Sequence, residues 1–179
     1  GARQVEPQAD RSTRLDHALD SLLGIRERHQ FIEVVTIGLI SDTHGFLDES
    51  LATHFSTCDD IWHAGDIGSV NVIDNLEKIK PVQAVHGNID DASLYTRFPK
   101  DLWLTRGGMT FFITHIAGKP PRYNSRVKQL LAERKPDVLI CGHSHICEVK
   151  KDPASGVLFI NPGAAGQQGF HLMRTVLRM

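Results

Sequence analysis

The pattern of hydrophobic and polar residues changes near position 33, which divides the chain into two parts. In the first part, apolar residues recur at helical spacing with charged residues between them; they are Leu15, Ala18, Leu19, Leu22 and Leu23. This spacing predicts an amphipathic helix within an N-terminal extension, 1–33. We expect the helix to pack against the main domain or, as the alternative, to bind a partner.

From Val34 onward, short runs of β-branched and aliphatic residues alternate with segments of helical spacing. The apolar runs predict strands at 34–40, 60–63, 82–86 and 138–141, hairpins at 102–114 and 148–161, and a last strand at 171–177. Helical spacing predicts helices at 70–79 and 124–134. Early β-α-β units followed by hairpins indicate an α/β domain of layers with mixed sheets over 34–179.

Composition limits the classes of protein that fit this chain. A length of 179 residues with 41% hydrophobic residues suits a single domain with a sizeable core. A formal net charge of -1 gives no electrostatic argument for nucleic-acid binding. No apolar run approaches the length of a membrane span, about 20 residues, so no membrane association is expected.

The cysteines and the first residues indicate a cellular compartment. Cys58, Cys141 and Cys147 are odd in number and show no CxxC spacing. A disulfide framework is therefore not expected, and a reducing compartment fits. The first residues also lack the charged-then-apolar pattern of a signal peptide, so we expect a cytoplasmic protein.

Side chains that bind metal ions follow five of the predicted strands. In chain order they are Asp42 and His44, then Asp66, then Asn88, then His115, and finally His143 and His145. Ligand sites in α/β sheets lie beyond the carboxyl ends of the strands, and neighbouring strands are only about 4.8 Å apart. We therefore expect these side chains to meet at one edge of the domain.

The number of candidate ligands indicates more than one metal ion. Seven ligands are too many for one catalytic zinc ion, which takes three protein ligands. Two ions that share a bridging carboxylate fit this number, and oxygen and nitrogen donors without a thiolate favour Mn, Fe or Zn. Two such ions about 3.5–4 Å apart stabilise both oxygens of an in-line phosphoryl displacement and lower the pKa of a bound water.

Five motifs occur in a fixed order, namely Asp42-Thr43-His44, Gly65-Asp66, Gly87-Asn88, Thr114-His115 and Gly142-His143-Ser144-His145. This order resembles the calcineurin-like metallophosphoesterases over roughly residues 34–163. The short chain and the Asn161-Pro162-Gly163 loop look like the small bacterial and archaeal phosphodiesterase branch, the YfcE-like proteins. The resemblance implies a four-layer α/β/β/α sandwich of two mixed sheets flanked by helices.

The resemblance also implies how the ligands are shared between two metal ions. One ion would take Asp42, His44, Asp66 and His145, and the other would take Asp66, Asn88, His115 and His143. Asp66 would bridge the two ions. Members of the family commonly use Mn, with Fe, Zn, Ni or Mg able to replace it.

The implied activity is hydrolysis of small phosphate esters, phosphodiesters above all, by a hydroxide that bridges two metal ions. Within that mechanism His44, Asp66 and Asn88 are the expected catalytic residues, with His44 stabilising the developing charge. A phosphomonoesterase is the first alternative. The second is a non-catalytic scaffold that binds other proteins, as the retromer subunit with this fold does. A homo-oligomer is compatible with all three.

One position departs from the family pattern. Many members carry a histidine directly after the Gly-Asn pair, where this chain has Ile89, and isoleucine cannot transfer a proton. Weaker hydrolysis of esters with poor leaving groups is therefore expected, unless His44, His86 or His171 substitutes. For His86 and His171 an ordinary structural role is the favoured alternative.

Four further residues are candidates for supporting roles. Asp90 would either hydrogen-bond a ligand histidine or cap a turn, and His63 would either support the ligands or fill the core. Lys119 and Arg122, in the loop that follows His115, are candidate contacts for a substrate phosphate. The alternative for these two is a solvated loop.

Overall fold

The computed structural model describes residues 34–179 of the chain. The predicted extension 1–33 and its amphipathic helix lie outside the described residues, so both stay predictions. Within 34–179 the chain forms two sheets, a two-stranded ribbon and four helices. None of the helices in this range combines the length and hydrophobicity that a membrane span requires.

The first sheet consists of β1 (Ile37–Ile40), β2 (Asp60–His63), β3 (Val82–Ala84) and β11 (Leu177–Arg178). Strands β1, β2 and β3 run parallel, and β11 pairs antiparallel with β1, which gives the order β11-β1-β2-β3. Three helices accompany the parallel strands; they are α1 (Leu51–His54), α2 (Val70–Glu77) and α3 (Ala92–Arg97).

The second sheet consists of β4 (Asp101–Arg106), β5 (Met109–Thr114), β8 (Val138–Ile140), β9 (Cys147–Lys151) and β10 (Leu158–Pro162). Strands β5, β8 and β10 run parallel, with β4 and β9 antiparallel at the two edges, in the order β4-β5-β8-β10-β9. Between β5 and β8 lie the ribbon and a helix; they are β6 (Gly118–Lys119), β7 (Arg122–Tyr123) and α4 (Ser125–Arg134).

Alternation along the strands separates three layers of buried side chains, because successive residues of a strand point to opposite faces. The central layer lies between the two sheets and includes Trp62 of β2 together with Phe111 and Ile113 of β5. The outer layers pack the other strand faces against the helices, with Phe55, Ile73 and Leu94 on the first sheet and Phe112, Val127 and Leu131 on the second. The order of layers is therefore helix, sheet, sheet, helix.

Side-chain caps fix the starts of the two helices that border the functional site. Asp91 Oδ1 accepts a hydrogen bond from the backbone N–H of Leu94 at the start of α3. Asn124 Oδ1 accepts one from the N–H of Val127 at the start of α4, and its Nδ2 donates to the Ile116 carbonyl at 2.8 Å. Such a cap contributes about 1 kcal/mol, and the second bond of Asn124 ties α4 to the loop that follows β5.

The sheets confirm the predicted α/β class with two mixed sheets in a layered sandwich. The first and third strands are shorter than predicted, beginning at Ile37 and ending at Ala84 respectively. The predicted last strand at 171–177 is wrong, because the chain becomes a strand only at Leu177–Arg178. The N–H of Thr175 donates to the Ala164 carbonyl and its Oγ1 donates to the Pro162 carbonyl, which holds this segment beside the end of β10.

Candidate metal centre

Two clusters of metal-binding side chains lie beyond the carboxyl ends of the parallel strands. The first cluster contains Asp42, His44 and His145, and the second contains Asp66, His115 and His143. Within each cluster the ligand atoms all lie within 4.8 Å of one another. The structure therefore brings together six of the seven predicted ligands in two groups of three.

Close nitrogen and oxygen atoms define the first cluster. His145 Nε2 lies 3.2 Å from Asp42 Oδ1 and 3.3 Å from His44 Nε2. Asp42 is fully buried, and the backbone N–H of His143 donates to both of its carboxylate oxygens, at 3.2 Å and 3.1 Å. Two imidazole nitrogens and a carboxylate oxygen at these separations suit one divalent cation between them.

Asp66 faces both clusters. Its Oδ1 lies 3.1 Å from His115 Nε2, and its Oδ2 lies 3.9 Å from His44 Nε2. The backbone N–H of Ile89 donates to Oδ1 at 3.1 Å, which orients the carboxylate. Asp66 is the carboxylate that the resemblance assigns as the bridge, and its two oxygens point to opposite clusters.

His115 tests directly whether a metal ion fits this site. Its Nδ1 donates to the Ala64 carbonyl at 2.8 Å, which turns Nε2 toward Asp66. This Nε2 is buried and makes no hydrogen bond, although Asp66 Oδ1 lies 3.1 Å away. A buried polar nitrogen without a hydrogen-bond partner is rare in proteins. A ring fixed through its other nitrogen is the arrangement of a metal-ligating histidine, so the residues present fit a metal ion.

Asn88 is exposed on the loop after β3, next to Ile89, whose backbone N–H donates to Asp66. The loop is held by Asp90, whose Oδ1 accepts from the N–H of Gly68 and whose Oδ2 accepts from the N–H of Gly87, both at 2.7 Å. Asp90 therefore bonds to backbone groups and not to a ligand histidine. It joins the loop that carries Asn88 to the loop that follows Asp66.

His63, at the end of β2, is fully buried and connects two ligand-bearing loops. Its Nδ1 accepts a hydrogen bond from the N–H of Gly65 at 3.1 Å, so the proton sits on Nε2. His63 Nε2 donates to Thr43 Oγ1 at 3.0 Å, and Thr43 Oγ1 donates to the Ile67 carbonyl at 2.9 Å. This chain of bonds fixes the loop after β1 relative to the loop after β2.

The pKa of His63 leads to a testable pH dependence. Burial lowers this pKa from 6.5 to about 3. Between these values the unfolded chain binds the proton and the folded protein does not. Stability should therefore fall by about 1.4 kcal/mol for each pH unit as pH decreases through this window. His63→Gln removes the titration, so the dependence of its unfolding free energy on pH should be shallower by about one proton.

Urea denaturation of the metal-free proteins between about pH 6.5 and pH 4.5 measures both slopes. The comparison uses slopes, so it does not depend on any constant loss of stability in the variant. Equal slopes for the two proteins would show that His63 is not held neutral by the fold.

Five of the candidate ligand residues adopt a backbone conformation that is rare for residues with side chains. The φ angles are 54° for Asp42, 49° for His44, 52° for Asp66, 68° for His143 and 59° for His145. Among the described residues, Lys135 at the end of α4 is the other non-glycine residue with positive φ. Such conformations cost about 1–3 kcal/mol each and cluster at functional sites, where the surrounding structure enforces them.

The electrostatics of the metal-free site favour a cation. Burial raises the pKa of Asp42. Burial also opposes ionisation of Asp66, but the nearby His115 ring and the Ile89 N–H hold the pKa of this carboxyl below its usual value. Although burial disfavours a charged ring, the charge of Asp66 raises the pKa of His115 overall. A metal ion has to displace the proton from His115, so metal binding weakens as pH falls.

A cavity of about 450 Å³ opens beside the second cluster. Asn88 and His115 line it, so the cavity is continuous with the candidate metal centre. Its other walls include Tyr95 of α3, Lys100 before β4 and Arg126 of α4. These three residues were not predicted from the sequence, because no local pattern relates α3 to α4. The one signal in the sequence was Asn124, the cap residue that places the start of α4 close to His115.

The predicted substrate contacts lie elsewhere. Lys119 and Arg122 are exposed on the β6–β7 ribbon, where they are register partners, and they do not line the cavity. A contact between either side chain and a substrate phosphate stays a prediction.

The candidates for the missing proton donor have structural contacts. The His86 ring packs edge-on against Tyr95, with ring centroids 4.2 Å apart, and lines the cavity. His171 Nε2 donates to the Gly166 carbonyl at 3.0 Å, and its ring lies 5.4 Å from the ring of the ligand His145. Ile89 exposes 45% of its surface and contributes only its backbone N–H to Asp66.

A sandwich of two mixed sheets with paired Asp and His clusters at the strand ends is the arrangement of a metal-dependent phosphoesterase. A domain model described as the calcineurin-like phosphoesterase superfamily domain matches residues 35–179. The chain therefore belongs to the calcineurin-like phosphoesterase superfamily.

Individual relatives agree with this membership. A protein of Methanocaldococcus jannaschii named "Probable metallophosphoesterase" is 33% identical over 134 residues, covering 72% of this chain and 67% of the relative. A solved structure described as a novel archaeal phosphodiesterase is 26% identical with a TM-score of 0.57, covering 73% of this chain and 84% of that chain. Vps29 of Chaetomium thermophilum shares the fold, with a TM-score of 0.64 at 19% identity over 79% of this chain and 78% of that chain.

Proposed function

We propose that this phosphoesterase hydrolyses phosphodiesters and that it does so with two divalent metal ions, Mn above all. The observation that carries the proposal is the pair of ligand clusters that meet at Asp66. One ion would be held by Asp42, His44, Asp66 and His145, and the other by Asp66, Asn88, His115 and His143. Oxygen and imidazole donors without a thiolate suit Mn.

Divalent ions in this site would supply a nucleophilic water at neutral pH and would neutralise charge on the phosphoryl oxygens. The chain's own residues hold and orient that arrangement. The Ile89 N–H fixes the carboxylate of Asp66, the Ala64 carbonyl fixes the ring of His115, and the His143 N–H fixes the carboxylate of Asp42. His44, which lies between Asp42 and Asp66, is suited to stabilise charge that develops on the phosphoryl group.

Two observations favour a diester over a monoester. The cavity beside the second cluster offers room for an organic group attached to the phosphate. The solved relative that is 26% identical to this chain is described as a phosphodiesterase. Because no proton donor occupies the position of Ile89, the best substrates should be diesters whose leaving group departs without protonation.

The test is hydrolysis of bis-p-nitrophenyl phosphate by chelator-treated protein, before and after addition of Mn, with p-nitrophenyl phosphate in parallel. We expect hydrolysis that depends on Mn and favours the diester by about tenfold or more in kcat/KM. A preference for the monoester would support a phosphomonoesterase instead. Absence of hydrolysis with both esters, in protein shown to contain metal, would favour a scaffold that binds other proteins.

A further inference from the structure

The cavity beside the second cluster has a distinct aromatic wall. Tyr95 of α3 exposes 46% of its surface, and the His86 ring packs edge-on against it at 4.2 Å between centroids. Both side chains line the cavity, together with Ile116. The His86 contact holds the Tyr95 ring in place, so a planar group that enters the cavity meets a fixed aromatic surface. Aromatic surfaces of this kind bind nucleobases and other planar rings by stacking.

The same cavity has a cationic wall. Arg126 Nη2 donates to Thr114 Oγ1 at 3.0 Å, and Arg126 Nη1 pairs with Asp101, so the guanidinium is held beside the ligand His115. Lys100 is the residue that precedes Asp101, and its exposed side chain also lines the cavity. Asp101 partly neutralises Arg126, whereas no carboxylate of the described residues lines the cavity itself. The wall therefore carries an excess of positive charge.

From this combination we propose that the cavity binds the organic half of the phosphodiester and selects a nucleotide. The planar base would lie against Tyr95, and a phosphate other than the reacting one would lie against Lys100 and Arg126. A simple alkyl diester fits neither wall. This inference rests on the proposed phosphodiesterase function, because the reacting phosphate has to sit at the shared residues Asn88 and His115.

Two chromogenic diesters that differ in a single group test the proposal. They are the 5′-p-nitrophenyl phosphate diester of thymidine and the same diester carrying an additional 3′-phosphate. With Mn-loaded protein we expect the KM of the 3′-phosphorylated substrate to be lower by about fivefold or more, with similar kcat, because the extra contact acts on binding. Lys100→Gln should remove this difference, whereas Lys128→Gln, on the outer part of α4, should leave it unchanged.

The aromatic wall has its own matched pair of variants. Tyr95→Ala should raise the KM of both thymidine diesters by about tenfold. Tyr95→Phe, which keeps the ring and loses the hydroxyl, should behave like the unmodified protein. Equal KM values for the two diesters in the unmodified protein, or a KM unaffected by Tyr95→Ala, would overturn the proposal.

A binding measurement separates failure of this inference from failure of the proposed function. Calorimetry gives the Kd of thymidine 3′,5′-bisphosphate and of thymidine 5′-monophosphate for the same variants, whether or not the protein is an active diesterase. Tighter binding of the bisphosphate that depends on Lys100 supports the nucleotide cavity. Hydrolysis of bis-p-nitrophenyl phosphate without that difference would leave the proposed function intact and refute the cavity assignment.

Discussion

Replacing Asp66 with asparagine is expected to reduce Mn-dependent hydrolysis of bis-p-nitrophenyl phosphate at least about 1000-fold in kcat. Asparagine keeps the shape of the side chain and an oxygen that accepts from the Ile89 N–H. It removes the negative charge that faces both clusters, at 3.1 Å from His115 and 3.9 Å from His44. Steady-state kinetics at saturating Mn measure the loss.

The control for this variant is Asp152→Asn. Asp152 is also buried, but it closes the turn between β9 and β10, where its Oδ1 accepts from the Ala154 N–H at 3.1 Å. Its replacement should lower stability and leave kcat within about twofold of the unmodified protein. If Asp66→Asn kept more than a tenth of the activity, Asp66 could not be the carboxylate shared by the two metal ions.

Replacing Gly87 with alanine should strongly reduce activity, although Gly87 is not itself a candidate ligand. An added Cβ at this position would overlap the backbone nitrogen and the Oδ1 atom of Asp66. The clash involves backbone, so rotation of a side chain cannot relieve it. The loop that carries Asn88 would have to move away from Asp66. We expect a loss of about 100-fold or more in kcat/KM, since displacements of about 1 Å have effects of that size.

Gly156→Ala provides the comparison for this second variant. Gly156 has a φ of 77°, and an added Cβ would meet no atom within 4 Å. Alanine there is strained and should cost about 1 kcal/mol of stability, with activity retained because the β9–β10 turn lies outside the metal centre. Parallel losses of activity in both variants would mean that general destabilisation, and not the position of Asp66, explains the effect of Gly87→Ala.

Much of the fold could be predicted from the sequence, because burial leaves a recognisable pattern of apolar residues along each strand. All three residues of β8, and Phe111, Phe112 and Ile113 of β5, are apolar and point alternately to the two faces, since each face of the second sheet is covered. The segment at 171–177 does not follow this pattern. Phe170 just before it and Leu172 and Met173 within it are exposed, and the hydrogen bonds of Thr175 to the Pro162 and Ala164 carbonyls determine its course. Such contacts join residues that are distant in sequence and leave no local pattern.

The ligand set was predictable for a similar reason. Parallel strands of one sheet end at the same edge, so Asp42 after β1 and Asp66 after β2 were expected to lie close together once the strands were recognised. His115 follows β5 of the second sheet, and the packing of the two sheets brings it to Asp66. The cavity was not predictable, because Tyr95 and Arg126 come from helices on different sheets. The chain order pointed instead to Lys119 and Arg122, which follow His115 directly but extend along an exposed ribbon. Proximity in sequence to His115 therefore did not identify the residues that line the cavity.

We propose that Asp42, Asp66 and their histidine partners hold two metal ions. The most direct test is to load the metal-free protein with Mn, remove unbound metal by desalting, and determine the ratio of Mn to protein by elemental analysis. We predict about two Mn per chain, magnetically coupled in the electron paramagnetic resonance spectrum, and about one in His115→Ala. A ratio of one in the unmodified protein, unchanged by His115→Ala, would rule out the two-ion site.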